Sequence, residues 1–249
     1  MAVASRDRIL DKLDGYLARQ DFAAAERHLT FWLAEATAAR DTATEMLVRS
    51  ELVGLYRKLD RREDALSAVS ATLERVGALG LADTVGGATA YLNCATAYKA
   101  FGDPEASLPL FLRAREVYER DLPAGDARLG GLYNNMALTL VDLNRFSEAA
   151  ALYLRAVAVM EAVPRGGLEV AITYLNMASA AEAERGLLDA EEEILSLLDR
   201  ARALLDADEG GDGYYAFVCE KCASVFGYYG RFAYAEELRA RAGRIYEGT

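Results

Sequence analysis

The sequence predicts an all-α fold, an α-solenoid assembled from six helical hairpins. Two observations lead to this prediction. The 249 residues are 53% hydrophobic and include only 4 prolines, a composition typical of an ordered, helix-rich chain. The chain also repeats itself at intervals of 40 to 45 residues, and helical units that recur with such a period stack into solenoids.

Two positions set the register of the repeat. In the second helix of each hairpin the register position is a small residue: Ala25, Ala65, Ser107, Ala149, Ala190 and Ala235. Twelve residues earlier, in the first helix, lie Leu13, Val53, Ala95, Ala137, Ala178 and Ala223. Small side chains at a contact let two helices approach closely, so these positions predict where the helices of a hairpin meet.

The six hairpins follow one another along the chain, and a turn separates the two helices of each. The turns are clearest in the segments FGDP, LNR and YYGR, which begin at Phe101, Leu143 and Tyr228 and carry residues typical of turns. One hairpin cannot bury its apolar faces, whereas stacked neighbours can. We therefore predict a single domain of residues 1–249, with hairpins at approximately residues 6–40, 44–80, 86–122, 128–164, 168–206 and 214–247.

The repeated unit resembles the tetratricopeptide repeat. Besides the small residues twelve apart, an aromatic or aliphatic residue follows three after the first register position, as in Tyr56, Tyr98, Leu140 and Phe226. The units exceed the usual length of about 34 residues because the links between hairpins are long. In this they are similar to kinesin-light-chain-type and bacterial regulatory arrays. The resemblance implies a right-handed superhelix that acts as a protein–protein interaction scaffold.

Charge and cysteine content narrow the class of protein. The formal net charge is -11 and the pI about 4.8, which disfavours nucleic acid and anionic membranes as partners. No apolar stretch approaches the ~20 residues of a membrane span, and the first residues lack the apolar core of a secretory signal. Three cysteines are too few for a disulfide framework. We expect a cytoplasmic protein.

The motifs that suggest chemistry have simpler explanations. The segment CEKC contains Cys219 and Cys222, but Cys222 aligns in the repeat with Cys94, at a packing position. His28 is the only histidine, and nothing near it in the sequence forms a catalytic pattern. The segment from residue 206 to residue 213 begins like a calcium loop, yet it lacks the closing glutamate. We predict no enzymatic activity, no cofactor and no metal site.

The resemblance places the first helices on the concave, ligand-binding face. Two residues before the first register position lies a ladder of polar side chains: Asp11, Glu51, Asn93, Asn135, Asn176 and Lys221. An asparagine amide offers both donors and an acceptor, so spaced amides can pair with the backbone of an extended peptide. Asparagine is also common at this position in members of the family that bind no ligand, and this alternative stays open.

Asn134 and several cations complete the candidate site. Asn134 projects about 100° away from its neighbour on a helix, and the other copies have no asparagine at its position. Arg57, Lys58 and Lys99 are suited to a carboxylate or an acidic side chain, and Lys221 lies at the far end. The candidate peptide-binding residues are therefore Asn93, Asn134, Asn135, Asn176, Arg57, Lys58, Lys99 and Lys221.

Three functions fit these observations. The leading hypothesis is a non-enzymatic scaffold that holds an extended peptide or a partner's helix in the concave groove. A second is a peptide-ligand sensor, a regulatory subunit that acts through a separate effector protein. A third is a self-associating structural subunit, a homodimer formed through the aromatic C-terminal end, residues 225–234.

Overall fold

The computed structural model describes residues 5–208 and 210–248 of the chain. These residues form twelve α-helices that pair into six hairpins, which confirms the predicted all-α class. In each hairpin the first helix packs against the second. The helices are α1 (Arg6–Ala18), α2 (Phe22–Ala39), α3 (Thr42–Lys58), α4 (Arg62–Ala78), α5 (Val85–Ala100), α6 (Pro104–Asp121), α7 (Ala127–Asp142), α8 (Phe146–Glu161), α9 (Gly167–Arg185), α10 (Glu191–Ala207), α11 (Gly213–Tyr228) and α12 (Phe232–Glu247).

Side-chain caps fix where many of these helices begin. An oxygen of the capping side chain accepts a hydrogen bond from a backbone N–H of the first turn, which would otherwise lack a partner. The capping residues are Ser5, Asp21, Asp41, Thr84, Asp103, Asp126 and Asp212.

Five hairpins share one turn conformation. In each, a residue with a left-handed backbone lies two positions before the second helix: Gln20, Asp60, Gly102, Asn144 and Gly230. The small register residue then follows three positions after the second helix begins. The same local geometry therefore sets the approach of the two helices in these five hairpins.

The fifth hairpin departs from this pattern. Its first helix, α9, runs for 19 residues to Arg185, and Gly186 ends it with φ of 81°. The second helix, α10, begins only at Glu191, so the register residue Ala190 precedes the helix instead of lying inside it. As a result, Leu187 and Leu188 lie in the turn.

The predicted register positions are all in the interior. Every one of the twelve is at most 2% exposed, in both the first and the second helices. The residues that the repeat predicts at these positions therefore belong to the core of the described chain.

The chain divides into two compact units, Met1–Leu122 and Pro123–Thr249. The first contains α1 to α6 and the second α7 to α12. In the second unit, one continuous apolar cluster includes Leu168, Leu198 and Phe226. That the chain forms a single domain stays a prediction.

A buried carboxylate connects α3 to α4 in the first unit. Glu45 is fully buried, and its Oε1 accepts hydrogen bonds from Nε of Arg49 at 3.1 Å and from Nε of Arg75 at 2.8 Å. Its Oε2 accepts from Nη2 of Arg75 at 2.9 Å. Burial alone would raise the pKa of Glu45, but the bonds from Arg75 and Arg49 outweigh it and hold the pKa below the ordinary value of 4.5.

Candidate functional site

Two asparagines of the predicted site bind each other in the second unit. Asn134, on α7, is only 9% exposed, and its Oδ1 accepts a hydrogen bond of 3.0 Å from Nδ2 of Asn176 on α9. The bond joins the first helices of two neighbouring hairpins. The bond gives Asn134 a structural role. The repeat alignment does not predict this role, because it places Asn176 in the ladder and Asn134 outside it.

The ladder amides of the second unit keep unused hydrogen-bonding capacity. Asn135 and Asn176 are both half-buried. Nδ2 of Asn135 donates to the carbonyl oxygen of Gly131, one turn earlier, at 2.9 Å. An amide offers two donor hydrogens and an oxygen with two lone pairs, so each of these side chains can make further bonds. Lys221, the ladder residue of α11, is exposed.

In the first unit, one amide of the ladder has no hydrogen-bond partner among the described residues. Asn93, on α5, is half-buried, and none of the hydrogen bonds between described residues involves its side chain. Glu51, the ladder residue of α3, is also half-buried, and burial together with the charge of Asp14 raises its pKa. Polar groups that are partly removed from water and lack a protein partner are suited to binding a ligand.

The candidate cations of the first unit lie in different surroundings. Arg57 is exposed, although desolvation by the surrounding chain lowers the pKa of its guanidinium group. Nζ of Lys58 lies 5.6 Å from the centroid of the Phe22 ring, at the start of α2. Lys99 is half-buried on α5.

Comparisons with known proteins agree with this geometry. A family model described as tetratricopeptide repeat matches residues 130–163, which span α7 and α8. The chain has the tetratricopeptide-repeat fold. The crystal structure of BtubC (BKLC) from P. vanneervenii is similar to this repeat protein with a TM-score of 0.60 and 19% identity, over 93% of this chain and 91% of that one.

Two further solved structures show the same fold. A Podosopora anserina protein, described as a kinesin light chain with nearly identical TPR-like repeats, has a TM-score of 0.57 and 15% identity, over 82% of this chain and 95% of its own. MamA protein has a TM-score of 0.51 and 14% identity, over 82% of this chain and 96% of its own. None of the curated proteins compared with the repeat protein matches it. The tetratricopeptide-repeat fold indicates a protein–protein interaction scaffold.

The cysteines of the repeat protein pack in its interior. Cys94, Cys219 and Cys222 are free thiols and are buried, which agrees with their predicted packing positions. Burial raises the pKa of Cys94 and of Cys222 to about 12, so neither thiol is a nucleophile at neutral pH.

The remaining motifs also have structural roles. Nε2 of His28 donates to the carbonyl oxygen of Ile9 at 2.9 Å, and its ring packs edge-on against Tyr16 and Trp32. Of the segment that begins like a calcium loop, Glu209 lies outside the described residues. Within the described part of the repeat protein, no group of three or more histidine, cysteine, aspartate and glutamate residues is placed to hold a metal ion. None of the described helices is both long and apolar enough to cross a membrane.

Proposed function

We propose that this chain is a non-enzymatic scaffold that binds an extended peptide or a partner's helix along the first helices of its hairpins. One observation carries the proposal: the equivalent positions of α5, α7 and α9 hold half-buried amides whose hydrogen-bonding capacity the described residues do not fill. These are Asn93, Asn135 and Asn176. The tetratricopeptide-repeat fold supports the same proposal.

The chemistry of these groups suits a peptide backbone. Each peptide unit offers one N–H and one C=O, and an amide side chain can donate to the carbonyl and accept from the N–H. Such bonds hold an extended peptide whatever its sequence. Arg57 and Lys99 add charge-assisted bonds to acidic side chains or to a terminal carboxylate.

Peptide selection tests the proposal. Random peptides of about 12 residues displayed on phage are selected on the full chain and then measured against variants. Asn93→Ala should weaken peptides that bind the first unit, and Asn135→Ala those that bind the second, each by about tenfold, the equivalent of about 1.4 kcal/mol for a lost ligand bond. Asn93→Ala should leave unfolding by urea unchanged, because its side chain bonds to none of the described residues.

Ser196→Ala is the matched control. Ser196 is an exposed polar residue on a second helix, α10, so its removal should change peptide affinity less than twofold. Selected peptides that bind the two asparagine variants as tightly as the unaltered chain would contradict the assignment of the site to the first helices.

Self-association through the last hairpin is a second candidate, favoured by two exposed aromatic rings. Tyr228 is 71% and Phe232 70% exposed, whereas Phe226 and Tyr234 are buried against each other with ring centroids 4.8 Å apart. A monomeric mass by sedimentation equilibrium at high protein concentration would exclude a homodimer. The sensor alternative stays a prediction, which small-angle scattering with and without a selected peptide would test.

We also propose a cytoplasmic location, which the three free, buried cysteines support. Free thiols persist where the surroundings are reducing. Imaging of the tagged chain in its native cell would test this location.

A further inference from the structure

An open apolar cleft lies beside the irregular turn of the fifth hairpin. We call it the Leu188 cleft. Its volume is about 380 Å³, and it is lined by Leu187, Leu188, Glu191, Ile194, Leu195, Tyr228 and Tyr229. These residues come from the turn between α9 and α10, from α10 and from the end of α11, all within the second unit.

Three of the apolar side chains around the cleft are highly exposed. Leu188 is 86%, Leu187 50% and Tyr228 71% exposed. Large apolar groups clustered on a surface, as opposed to scattered singly, mark sites of interaction.

The repeat does not require a leucine at position 188. Two residues before the second register position, the other five hairpins have small or charged residues, all of them exposed: Ala23, Glu63, Glu105, Ser147 and Ala233. The stacking of the hairpins therefore does not explain Leu188. Its side chain is available to a partner.

The segment that forms the turn beside the cleft, which we call the acidic edge, is rich in carboxylates, and one of them, Glu191, lines the cleft itself. Residues 182–193 include six carboxylates and a single basic residue, Arg185, which is itself paired with Glu193. The three glutamates at the start of α10 also stabilise that helix through its dipole, but this role does not involve the carboxylates that precede the helix.

One of these carboxylates holds the aromatic wall of the cleft in place. The two carboxylate oxygens of Glu182 accept hydrogen bonds from the hydroxyl of Tyr228 at 2.8 Å and from that of Tyr229 at 2.7 Å. The rings are packed edge to face with centroids 5.0 Å apart. A wall fixed in this way is suited to receive a side chain without further ordering, which favours affinity.

We propose that the Leu188 cleft binds a partner segment that presents large apolar side chains flanked by lysine or arginine, such as one face of a basic amphipathic helix. The apolar wall buries the partner's apolar residues, and the acidic edge attracts its cations. A second copy of this chain would bring its own net charge of -11 to the acidic edge, so charge favours a basic segment over a homodimer at this cleft, although Tyr228 also belongs to the end proposed above for self-association. This surface uses none of the residues of the proposed peptide site.

Synthetic peptides test the proposal on the full chain. The probe is a fluorescein-labelled 18-residue peptide with leucines on one helical face and lysines on the other. In fluorescence anisotropy it should bind the unaltered chain, and the Leu187→Ala/Leu188→Ala variant should bind it at least tenfold more weakly. Both side chains are exposed, so the variant should retain the helical circular dichroism of the unaltered chain.

Matched controls separate the cleft from general attraction. Leu154→Ala removes another exposed leucine, 63% exposed on α8, and should change the affinity less than twofold. A peptide with alanine in place of leucine, and one with glutamate in place of lysine, should each bind at least tenfold more weakly than the probe.

Three results would overturn the proposal. The first is a probe that does not bind, or that binds the double variant as tightly as the unaltered chain. The second is a comparison peptide that binds as tightly as the probe, because binding would then need only charge or only apolar contact. The third is a dimeric chain, by sedimentation equilibrium, whose mass falls to that of a monomer in the double variant, which would make a second copy the occupant.

Discussion

Replacing Glu45 with glutamine should destabilise the first unit although the side chain keeps its size. The carboxylate accepts three hydrogen bonds from Arg49 and Arg75. An amide at the same place has one oxygen to accept these bonds, and its NH2 group faces guanidinium donors instead. Glu45→Gln therefore removes the charge and leaves at least one arginine donor without a partner.

The expected loss follows from the burial of the three side chains. Removing one partner of a fully buried ion pair costs about 3–5 kcal/mol. Here the side chains of Arg49 and Arg75 remain 20% and 34% exposed, so water can solvate the arginines left behind. We expect a smaller loss of about 2 kcal/mol in the free energy of unfolding.

The assay uses Trp32, the only tryptophan. Trp32 packs against the apolar cluster that contains Leu29 and Val48, so its fluorescence reports on the unit that contains Glu45. With a urea dependence of about 2 kcal/mol per M, a loss of about 2 kcal/mol lowers the unfolding midpoint by about 1 M. Glu74→Gln, an exposed carboxylate on α4, is the control and should leave the midpoint unchanged.

The stabilisation that Glu45 provides should depend on pH in one direction. Because the pKa of Glu45 is lowered in the folded chain, its contribution is fully present above the unfolded value and is lost as the pH falls through the folded value. The difference in stability between the unaltered chain and Glu45→Gln should therefore narrow as the pH falls below the ordinary value of 4.5. Equal midpoints for the two proteins at neutral pH would refute this account of the carboxylate.

Four further predictions concern other parts of the chain. Gly87→Ala should lower the free energy of unfolding by about 1–3 kcal/mol, because a Cβ atom at this position would lie 2.0 Å from a carbonyl oxygen. Gly54 lies within α3 with open space around it, so Gly54→Ala should raise the free energy of unfolding by up to about 1 kcal/mol. Urea unfolding measures both variants, and a change of the opposite sign in either would contradict the prediction. A double-mutant cycle of Asn134→Ala and Asn176→Ala should give a coupling energy of about 1 kcal/mol, whereas additive losses would contradict the side-chain bond. The three buried cysteines should react with Ellman's reagent at pH 8 only after urea unfolds the chain, and rapid reaction of the folded chain would count against their packing role.

The sequence predicts the hairpins well because their contacts depend on size. A small residue at Ala137 or Ala149 is required wherever two helices approach closely, so its recurrence marks the contact. The late start of α10 was not predictable in the same way. Where a helix ends depends on local differences of a fraction of a kcal/mol, and Gly186 can leave the helix at little cost because it adopts a positive φ freely.

The candidate site was less predictable than the fold. The helical period predicts that the side chain of Asn134 points to a flank of the groove. The period does not predict which side chain it will bond to. In the structure Asn134 bonds to Asn176, 42 residues later, so it lies beside the ladder of the next hairpin. An asparagine that the other copies lack, next to a ladder position, was the available signal. Whether these residues contact a ligand stays a prediction.

The pattern of helix contacts also has a consequence for how the chain forms during synthesis. Within each unit, the helices that pack most closely are neighbours or next neighbours in the sequence. Chains with such short-range contacts fold quickly, because little loop entropy is lost before contacts form. Within a unit, each hairpin can therefore dock on the previous one soon after it leaves the ribosome. Truncation from the C-terminal side should accordingly shorten the second unit one hairpin at a time, with the remaining hairpins still helical.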